Sequence, residues 1–231
     1  MTYDAVIFDL WGTLVDGLQE KPYHDSLRRT ARAAGAPPEE FIRIWCSDEI
    51  QSGRFVGTFA TQADCIRHVC EVLGVAPTDE ALQRAADVRA EFTRSGLVPR
   101  PGTVEVLRSL RARGLKLGLM TASSPNSVRF WPRTPLAGLF DAALFSCDVG
   151  LTKPDPRFYD LACRRLGVSP GRCLYVGDGA GNELTGAAEA GMTAVLICAP
   201  HERDIVMARA EVRNWRGAKI TSLTEVPALL D

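Results

Sequence analysis

Short runs of β-branched and aromatic residues alternate with helical patterns, and this alternation restricts the fold more than any other feature of the sequence. The first run is Ala5–Phe8, and further runs cover 115–120, 141–146, 173–176, 193–198 and 218–221. Apolar residues at helical spacing mark 103–114 and 156–167, and a glycine ends each segment. Strands separated by helices of this length predict an α/β fold with a parallel sheet and helices on both faces.

A stretch without any strand signal lies between residues 15 and 99. Its apolar spacing predicts amphipathic helices at about 23–34, 38–50, 58–73 and 78–95, with breaks at 35–37, 52–53 and 74–77. An all-helical block directly after the first strand indicates an inserted cap. We therefore expect a core domain formed by 1–15 and 99–231 and a helical cap domain formed by 16–98.

Composition excludes several classes of partner. Lys and Arg total 27 against 28 Asp and Glu, so there is no positive field to hold a nucleic acid. No segment approaches the about 20 apolar residues that cross a bilayer, and no basic leader precedes the first strand. The seven cysteines form no C-x-x-C pair. We expect a cytoplasmic protein with reduced thiols, no nucleic-acid or membrane partner, and a monomeric or homodimeric state.

The strongest local signal is the segment Asp9-Leu10-Trp11-Gly12-Thr13-Leu14, which directly follows the first apolar run. A carboxylate at a strand end is held in a fixed orientation, and the turn at Gly12 brings backbone N–H groups towards an anion. This arrangement suits covalent catalysis by Asp9. Taken alone, an Asp before a glycine turn is equally often a plain turn residue.

Three further segments add to that signal. Thr121 ends the second strand and precedes Ala122 and Ser123, so a hydroxyl and adjacent N–H groups are available to phosphoryl oxygens. Lys153 lies in a loop stiffened by Pro154 and Pro156, just before a predicted helix, where it can neutralise a carboxylate and a transferred group. The segment 176–183 combines glycines with Asp178 and Glu183, which can hold a hard cation.

Together, in this order and on alternating strands, the four segments resemble the haloacid dehalogenase superfamily over essentially the whole chain. The resemblance implies a Rossmann-like core and an aspartyl-enzyme intermediate on Asp9. It further implies that Thr121 orients the transferred group and that Lys153 stabilises it.

In the phosphatases of that superfamily, Mg²⁺ is held at the positions that match Asp9, Asp178 and the backbone carbonyl of Trp11. Of Asn182 and Glu183, we prefer the charged Glu183 as the residue that supports the metal site, by ordering metal-bound water. The expected partner is then a small phosphorylated molecule, and the expected cofactor is Mg²⁺.

Trp11 is a departure from this pattern, because superfamily phosphatases usually carry a second Asp there as general acid and base. An indole cannot exchange a proton at neutral pH, and the loss of such assistance costs about 10²–10⁴-fold in rate. Three functions therefore stay open. The first is a Mg²⁺-dependent phosphatase that is slow, is limited to good leaving groups or receives its proton from the cap or the substrate. The second is a metal-independent 2-haloacid dehalogenase-like enzyme with a halogenated substrate. The third is a non-catalytic phosphoanion-binding protein.

Substrate selection is expected from the cap, whose helices cover the strand ends. Arg54 is the cap residue that we assign to substrate binding, with Trp45, Phe55 and His24 as further candidates. Each of these also has an ordinary explanation as cap core or surface.

Overall fold

The computed structural model describes residues 3–230, and its core is a six-stranded sheet. The strands are β1 Ala5–Phe8, β2 Lys116–Thr121, β3 Ala142–Phe145, β4 Cys173–Gly177, β5 Thr193–Ile197 and β6 Ala218–Ile220. Their order in the sheet is β3-β2-β1-β4-β5-β6, and every neighbouring pair is parallel. The predicted α/β fold is confirmed. The order reverses between β1 and β4, which is where sheets of this kind bind ligands.

Twelve α-helices are present among the described residues. Five follow β1 directly and lie between residues 20 and 96: α1 Glu20–Ala34, α2 Pro38–Trp45, α3 Asp48–Phe55, α4 Gln62–Val72 and α5 Asp79–Gly96. The others are α6 Thr103–Ala112, α7 Pro125–Phe130, α8 Ser146–Val149, α9 Pro156–Leu166, α10 Glu183–Glu189, α11 Arg203–Met207 and α12 Ala210–Asn214. Short 3-10 turns connect several of them.

Each face of the sheet has its own hydrophobic layer, because successive residues of a strand point to opposite sides. Val6 and Phe8 of β1 belong to one layer, which also contains Leu107 of α6. Ala5 and Ile7 belong to the other layer, which packs against α9 and α10. All four residues of β1 are fully buried, so the strand that leads to Asp9 is held rigidly at the centre of the core.

The helices α1–α5, which we call the cap, contain a third and separate hydrophobic cluster. It includes Leu27, Phe41, Trp45 and Ile66, all buried. A cluster of its own is what an inserted domain requires. The boundaries at 15/16 and 98/99 stay a prediction. No helix within 3–230 has the length and apolarity that a membrane crossing requires.

Three details of the cap differ from the sequence predictions. The single helix expected over 38–50 is two helices, because Ser47 caps α3 by accepting a hydrogen bond from the Ile50 N–H at 3.5 Å. The break expected at 52–53 is wrong, since Gly53 lies inside α3. The helix expected from residue 58 begins only at Gln62, where Thr61 and Asp64 form a capping box.

Candidate active site

The ends of three adjacent strands bring the predicted site residues together. Asp9 follows β1, Thr121 ends β2 and Asp178 follows β4, and β1 lies between the other two strands. The N–H of Asp9 donates to the carbonyl of Val176 at 3.0 Å, which ties the loop after β1 to β4. All three side chains are buried. The structure thus groups residues that lie more than 160 positions apart in the sequence.

Lys153 is the centre of a buried hydrogen-bond network. Its Nζ donates to Oδ1 of Asp9 at 2.6 Å, to the Tyr175 hydroxyl oxygen at 3.4 Å and to Oε2 of Glu183. Tyr175 donates to the same Glu183 oxygen at 2.7 Å, and the N–H of Gly179 donates to the other at 2.9 Å. Both oxygens of Glu183 are therefore engaged, and its contact with Lys153 fixes the ammonium group beside Asp9.

The charges in this network shift the protonation equilibria of its members. Burial raises the pKa of Asp9 to about 7, although Lys153 opposes the shift. Burial likewise raises the pKa of Asp178 to about 6, with Glu183 adding to the shift and Arg209 opposing it. Burial alone would lower the pKa of Lys153, but the carboxylates of Asp9 and Glu183 outweigh it and raise that pKa above its usual range. Lys153 therefore stays in its ammonium form, whereas burial, together with the neighbouring carboxylates, disfavours the ionised forms of Asp9 and Asp178.

Asp178 is held by a residue that the sequence pattern did not single out. Nη1 of Arg209 lies 2.6 Å from Oδ2 of Asp178 and donates to its backbone oxygen at 2.5 Å. Glu211 accepts hydrogen bonds from two N–H groups at the start of α10, one of them from Thr185 at 2.7 Å. Residues of the stretch 201–213, which has mixed charge and no recognisable motif, therefore support the acidic loop.

The donor set fits a hard divalent cation. Oxygens of Asp9, Asp178 and Glu183 all lie within 4.8 Å of one another. Within the described part of the chain, the cations in ion-pair contact with these three carboxylates are Lys153 and Arg209, so full ionisation leaves one negative charge without a partner. A Cβ atom on Gly12 would lie 1.9 Å from Oδ2 of Asp178, so the glycine is what allows the two loops to meet. Mg²⁺ is usually bound by one or two carboxylates together with waters and substrate oxygens, and Asp9 and Asp178 can supply these carboxylates.

The segment after β2 supplies polar groups beside this cluster. Thr121 is fully buried and its Oγ1 has no hydrogen-bond partner, which is unusual for a buried hydroxyl and indicates room for a ligand oxygen. Ala122 and Ser123 line the pocket that contains Asp9. The N–H of Ser123 donates to Oγ of Ser146 at 2.9 Å and so is not free for a ligand.

Trp11 lies at the position where the sequence pattern calls for an acid. Its indole lines the same pocket and packs against Gly96, where an added Cβ atom would be 2.9 Å from Cζ3 of the ring. Gly96 is the last residue of α5, so the ring joins the loop after β1 to the cap. The indole offers one hydrogen-bond donor, but it cannot act as a general acid or base at neutral pH.

A pocket of about 640 Å³ connects the strand ends with the cap, a volume typical of small-molecule sites. Its cap wall includes Trp45, Arg54 and Phe55, all predicted from the sequence, and also Arg89, which was not. His24 is not part of the lining and lies near Glu20 on α1 instead. Asn182 is exposed whereas Glu183 is fully buried, and the choice between them as support for a metal stays a prediction.

The protein thus has an α/β fold, with a buried acid cluster and a pocket at the switch point of its sheet. The family model described as haloacid dehalogenase-like hydrolase matches residues 3–191. The chain belongs to this family of hydrolases.

Relatives in the family carry two different activities in their names. The chain is similar to an (S)-2-haloacid dehalogenase from Pseudomonas putida, with 28% identity over 184 residues that make up 76% of each protein. It is also similar to a glyceraldehyde 3-phosphate phosphatase from Methanothermobacter thermautotrophicus, with 34% identity over 136 residues, 58% of each protein. The crystal structure of a 2-haloacid dehalogenase from Pseudomonas syringae pv. Tomato DC3000 superimposes with a TM-score of 0.69 and 27% identity, covering 99% of this chain and 98% of that one.

Proposed function

We propose that the protein is a Mg²⁺-dependent phosphatase of small phosphorylated metabolites and that Asp9 is its nucleophile. The observation that supports this most is the buried group of Asp9, Asp178 and Glu183, whose negative charge exceeds that of its two cationic partners. A metal-independent displacement by Asp9 does not need a second carboxylate beside the nucleophile, and that carboxylate raises the cost of ionising Asp9.

In the proposed reaction, a carboxylate oxygen of Asp9 forms a bond to phosphorus while the bond from phosphorus to the leaving oxygen breaks. The electron pair leaves with that oxygen, and water then releases phosphate from Asp9. Phosphoryl transfer depends mainly on positioning and charge neutralisation. A magnesium ion held by Asp9, Asp178 and the carbonyl of Trp11 supplies neutralisation of the phosphoryl oxygens when bound.

The chain's own residues divide the remaining work. Lys153 contacts the nucleophile, and Glu183 and Tyr175 keep it oriented. In this proposal its ammonium group neutralises the negative charge of the transferred phosphoryl group. The unpartnered Oγ1 of Thr121 orients that group. The phosphoryl group is also bound by backbone groups at Gly12 and Ala122 and by the Ser123 hydroxyl. Glu183 acts on the metal site indirectly, through Lys153 and ordered water.

Trp11 narrows the substrates of this phosphatase. Since the indole cannot donate a proton to the leaving oxygen, the proposal favours weakly basic leaving groups such as acyl phosphates or aryl phosphates.

A 2-haloacid dehalogenase-like reaction is the second candidate, and two observations favour it. Halide departs without a proton, so an indole at position 11 does not slow that reaction. Several of the similar proteins are (S)-2-haloacid dehalogenases. Asp178 is the observation against it, because a buried carboxylate beside the nucleophile repels the developing halide ion. A non-catalytic phosphoanion-binding protein is the third candidate, and the intact contact between Asp9 and Lys153 argues against it.

One assay pair separates the three candidates. Purified protein is incubated with acetyl phosphate or p-nitrophenyl phosphate, with Mg²⁺ or with EDTA, and in parallel with 2-chloropropionate. Phosphate release that needs Mg²⁺ supports the proposal. Chloride release that is unaffected by EDTA supports the dehalogenase, and the absence of both reactions supports a binding protein.

A further inference from the structure

Two buried arginines of the cap face the pocket that contains Asp9. Arg54 is 4% exposed and Arg89 is 6% exposed, and both line this pocket. Within residues 3–230, neither guanidinium lies within 4.0 Å of a carboxylate oxygen. Buried arginines almost always have such a partner, because removing a charge from water is expensive.

Aromatic rings take the place of carboxylates around the two groups. The guanidinium carbon of Arg54 lies 4.4 Å from the centre of the Trp45 ring, and that of Arg89 lies 5.5 Å from the same ring. Arg89 also lies 5.0 Å from the ring of Tyr23 and 4.9 Å from that of Phe92. A cation–π contact offsets only part of the desolvation cost, and the two positive charges repel each other. The arrangement therefore lacks a negative charge.

The hydrogen-bonding groups of both side chains are largely unused. Arg89 donates one hydrogen bond, from Nη1 to Oγ of Ser26 at 2.9 Å. Nε of Arg89 and Nη1 of Arg54 are buried and have no partner. These N–H groups are donors in fixed positions, and guanidinium groups match carboxylate and phosphate oxygens in geometry.

We propose that Arg54 and Arg89 bind a second anionic group of the substrate, a carboxylate or a second phosphate, while its phosphoryl group lies at Asp9. This inference rests on the proposed phosphatase function and specifies its substrates as phosphorylated acids or bisphosphates. One pocket contains both ends of the site, so a single small molecule can contact both. The stacked rings hold the guanidinium groups in place before the ligand arrives, which reduces the entropic cost of binding.

The test uses three ligands that no phosphatase can cleave: 3-phosphonopropionate, propane-1,3-bisphosphonate and propylphosphonate. Each is titrated calorimetrically into the full chain with Mg²⁺. We expect one or both of the doubly anionic ligands to bind about 10- to 100-fold more tightly than propylphosphonate, as hydrogen bonds to charged groups imply. Whichever of the two binds more tightly identifies the second group as carboxylate or phosphate.

Two variants locate the effect. Arg54→Met and Arg89→Met should each reduce this preference while leaving propylphosphonate affinity unchanged. Arg43→Ala, which removes an exposed arginine of the same cap, should change nothing. Equal affinity of wild type for all three ligands, or a preference that survives both Met variants, overturns the inference and leaves the phosphatase proposal standing. Failure of all three ligands to bind overturns both.

Thermal unfolding of the same variants distinguishes ligand binding from a structural role. If the arginines bind the substrate, their buried and unpaired charges destabilise the free protein. Replacement by Met, which has a similar volume, should then leave the melting temperature unchanged or raise it. A marked fall in melting temperature in both variants, together with unchanged ligand preference, would assign the arginines to folding instead.

Discussion

Gly12 and Asp178 approach each other so closely that no side chain larger than hydrogen fits between them. A Cβ atom at residue 12 would lie 1.9 Å from Oδ2 of Asp178, and Gly12 has a φ of +80°. The loop that carries the nucleophile and the loop that carries the second carboxylate are therefore in direct contact through a backbone position. We expect this contact to set the separation of Asp9 and Asp178, the two carboxylates that would hold the proposed metal ion.

Gly12→Ala should separate the two loops. We expect a loss of about 1–3 kcal/mol in unfolding free energy from the positive φ, and in addition a clear loss of Mg²⁺ affinity because the carboxylate of Asp178 is displaced. Gly114→Ala is the matched control, since Gly114 has a φ of +82° with nothing within 4 Å of the added Cβ. Calorimetric titration of Mg²⁺ compares the two. Equal Mg²⁺ affinity in both variants would show that the contact does not matter for the ion.

Asp9→Asn should abolish hydrolysis of every substrate while the fold is retained. The amide oxygen is a poor nucleophile, and the variant cannot form the covalent intermediate. Turnover is measured on acetyl phosphate and 2-chloropropionate, with circular dichroism as the check on folding. Asp87→Asn, an exposed aspartate on α5, serves as the control and should retain full activity. Unchanged turnover in Asp9→Asn would refute the role of Asp9 in either reaction.

The same variant should be more stable than wild type, by an amount that depends on pH. The pKa of Asp9 is raised from 3.8 to about 7, so the folded protein binds a proton that the unfolded chain has lost between these values. Wild-type stability therefore falls as pH rises from about 4 to about 7, and no further loss from this group follows above pH 7. Asn carries no such cost. Without metal, we expect Asp9→Asn to gain about 1–3 kcal/mol over wild type at pH 8 and little at pH 4.

Urea unfolding of both proteins in EDTA at several pH values measures this difference. A stability difference that does not change between pH 4 and pH 8 would mean that Asp9 titrates normally in the folded protein.

Much of the site could be predicted because it lies at strand ends. Asp9, Thr121 and Asp178 each end a compact apolar run, and parallel strands place their carboxyl ends along one edge. Local periodicity therefore carried the necessary information. Periodicity predicted the cap helices less well. Gly53 suggested a break, but α3 continues through it because packing outweighs the weak helix propensity of a single glycine.

Residues whose contacts are distant in sequence could not be predicted as parts of the site. Arg209 lies in a polar stretch of mixed charge, and nothing local indicates that it contacts Asp178. Arg89 looks like a surface residue of an amphipathic helix, and only the assembled cap shows that it is buried. Tyr175 had a detectable signal, because it is a hydroxyl-bearing residue within the apolar strand β4 and three positions before Asp178. Sequence patterns show which residues share an element but not which elements meet.

Trp11→Asp should raise phosphatase activity if proton donation limits turnover. The gain should be large for an alkyl phosphate such as glycerol 3-phosphate, about 10-fold or more, and small for acetyl phosphate, whose leaving group needs no proton. Loss of the indole contact with Gly96 should also lower the melting temperature. Trp11→Phe keeps an aromatic ring without an acid and controls for packing. Equal gains in activity on both substrates, or a gain in the Trp11→Phe variant, would contradict the claim that the absence of a general acid at position 11 limits turnover.

The most direct test of the account is a crystal structure of the protein grown with Mg²⁺ and beryllium fluoride, a mimic of a phosphoryl group on a carboxylate. We predict a beryllium trifluoride group bonded through beryllium to an oxygen of Asp9, a magnesium ion held by Asp9 and Asp178, and Lys153 in contact with the adduct. A structure with no adduct on Asp9, or with Asp178 still paired only to Arg209 and no ion beside it, would contradict the account.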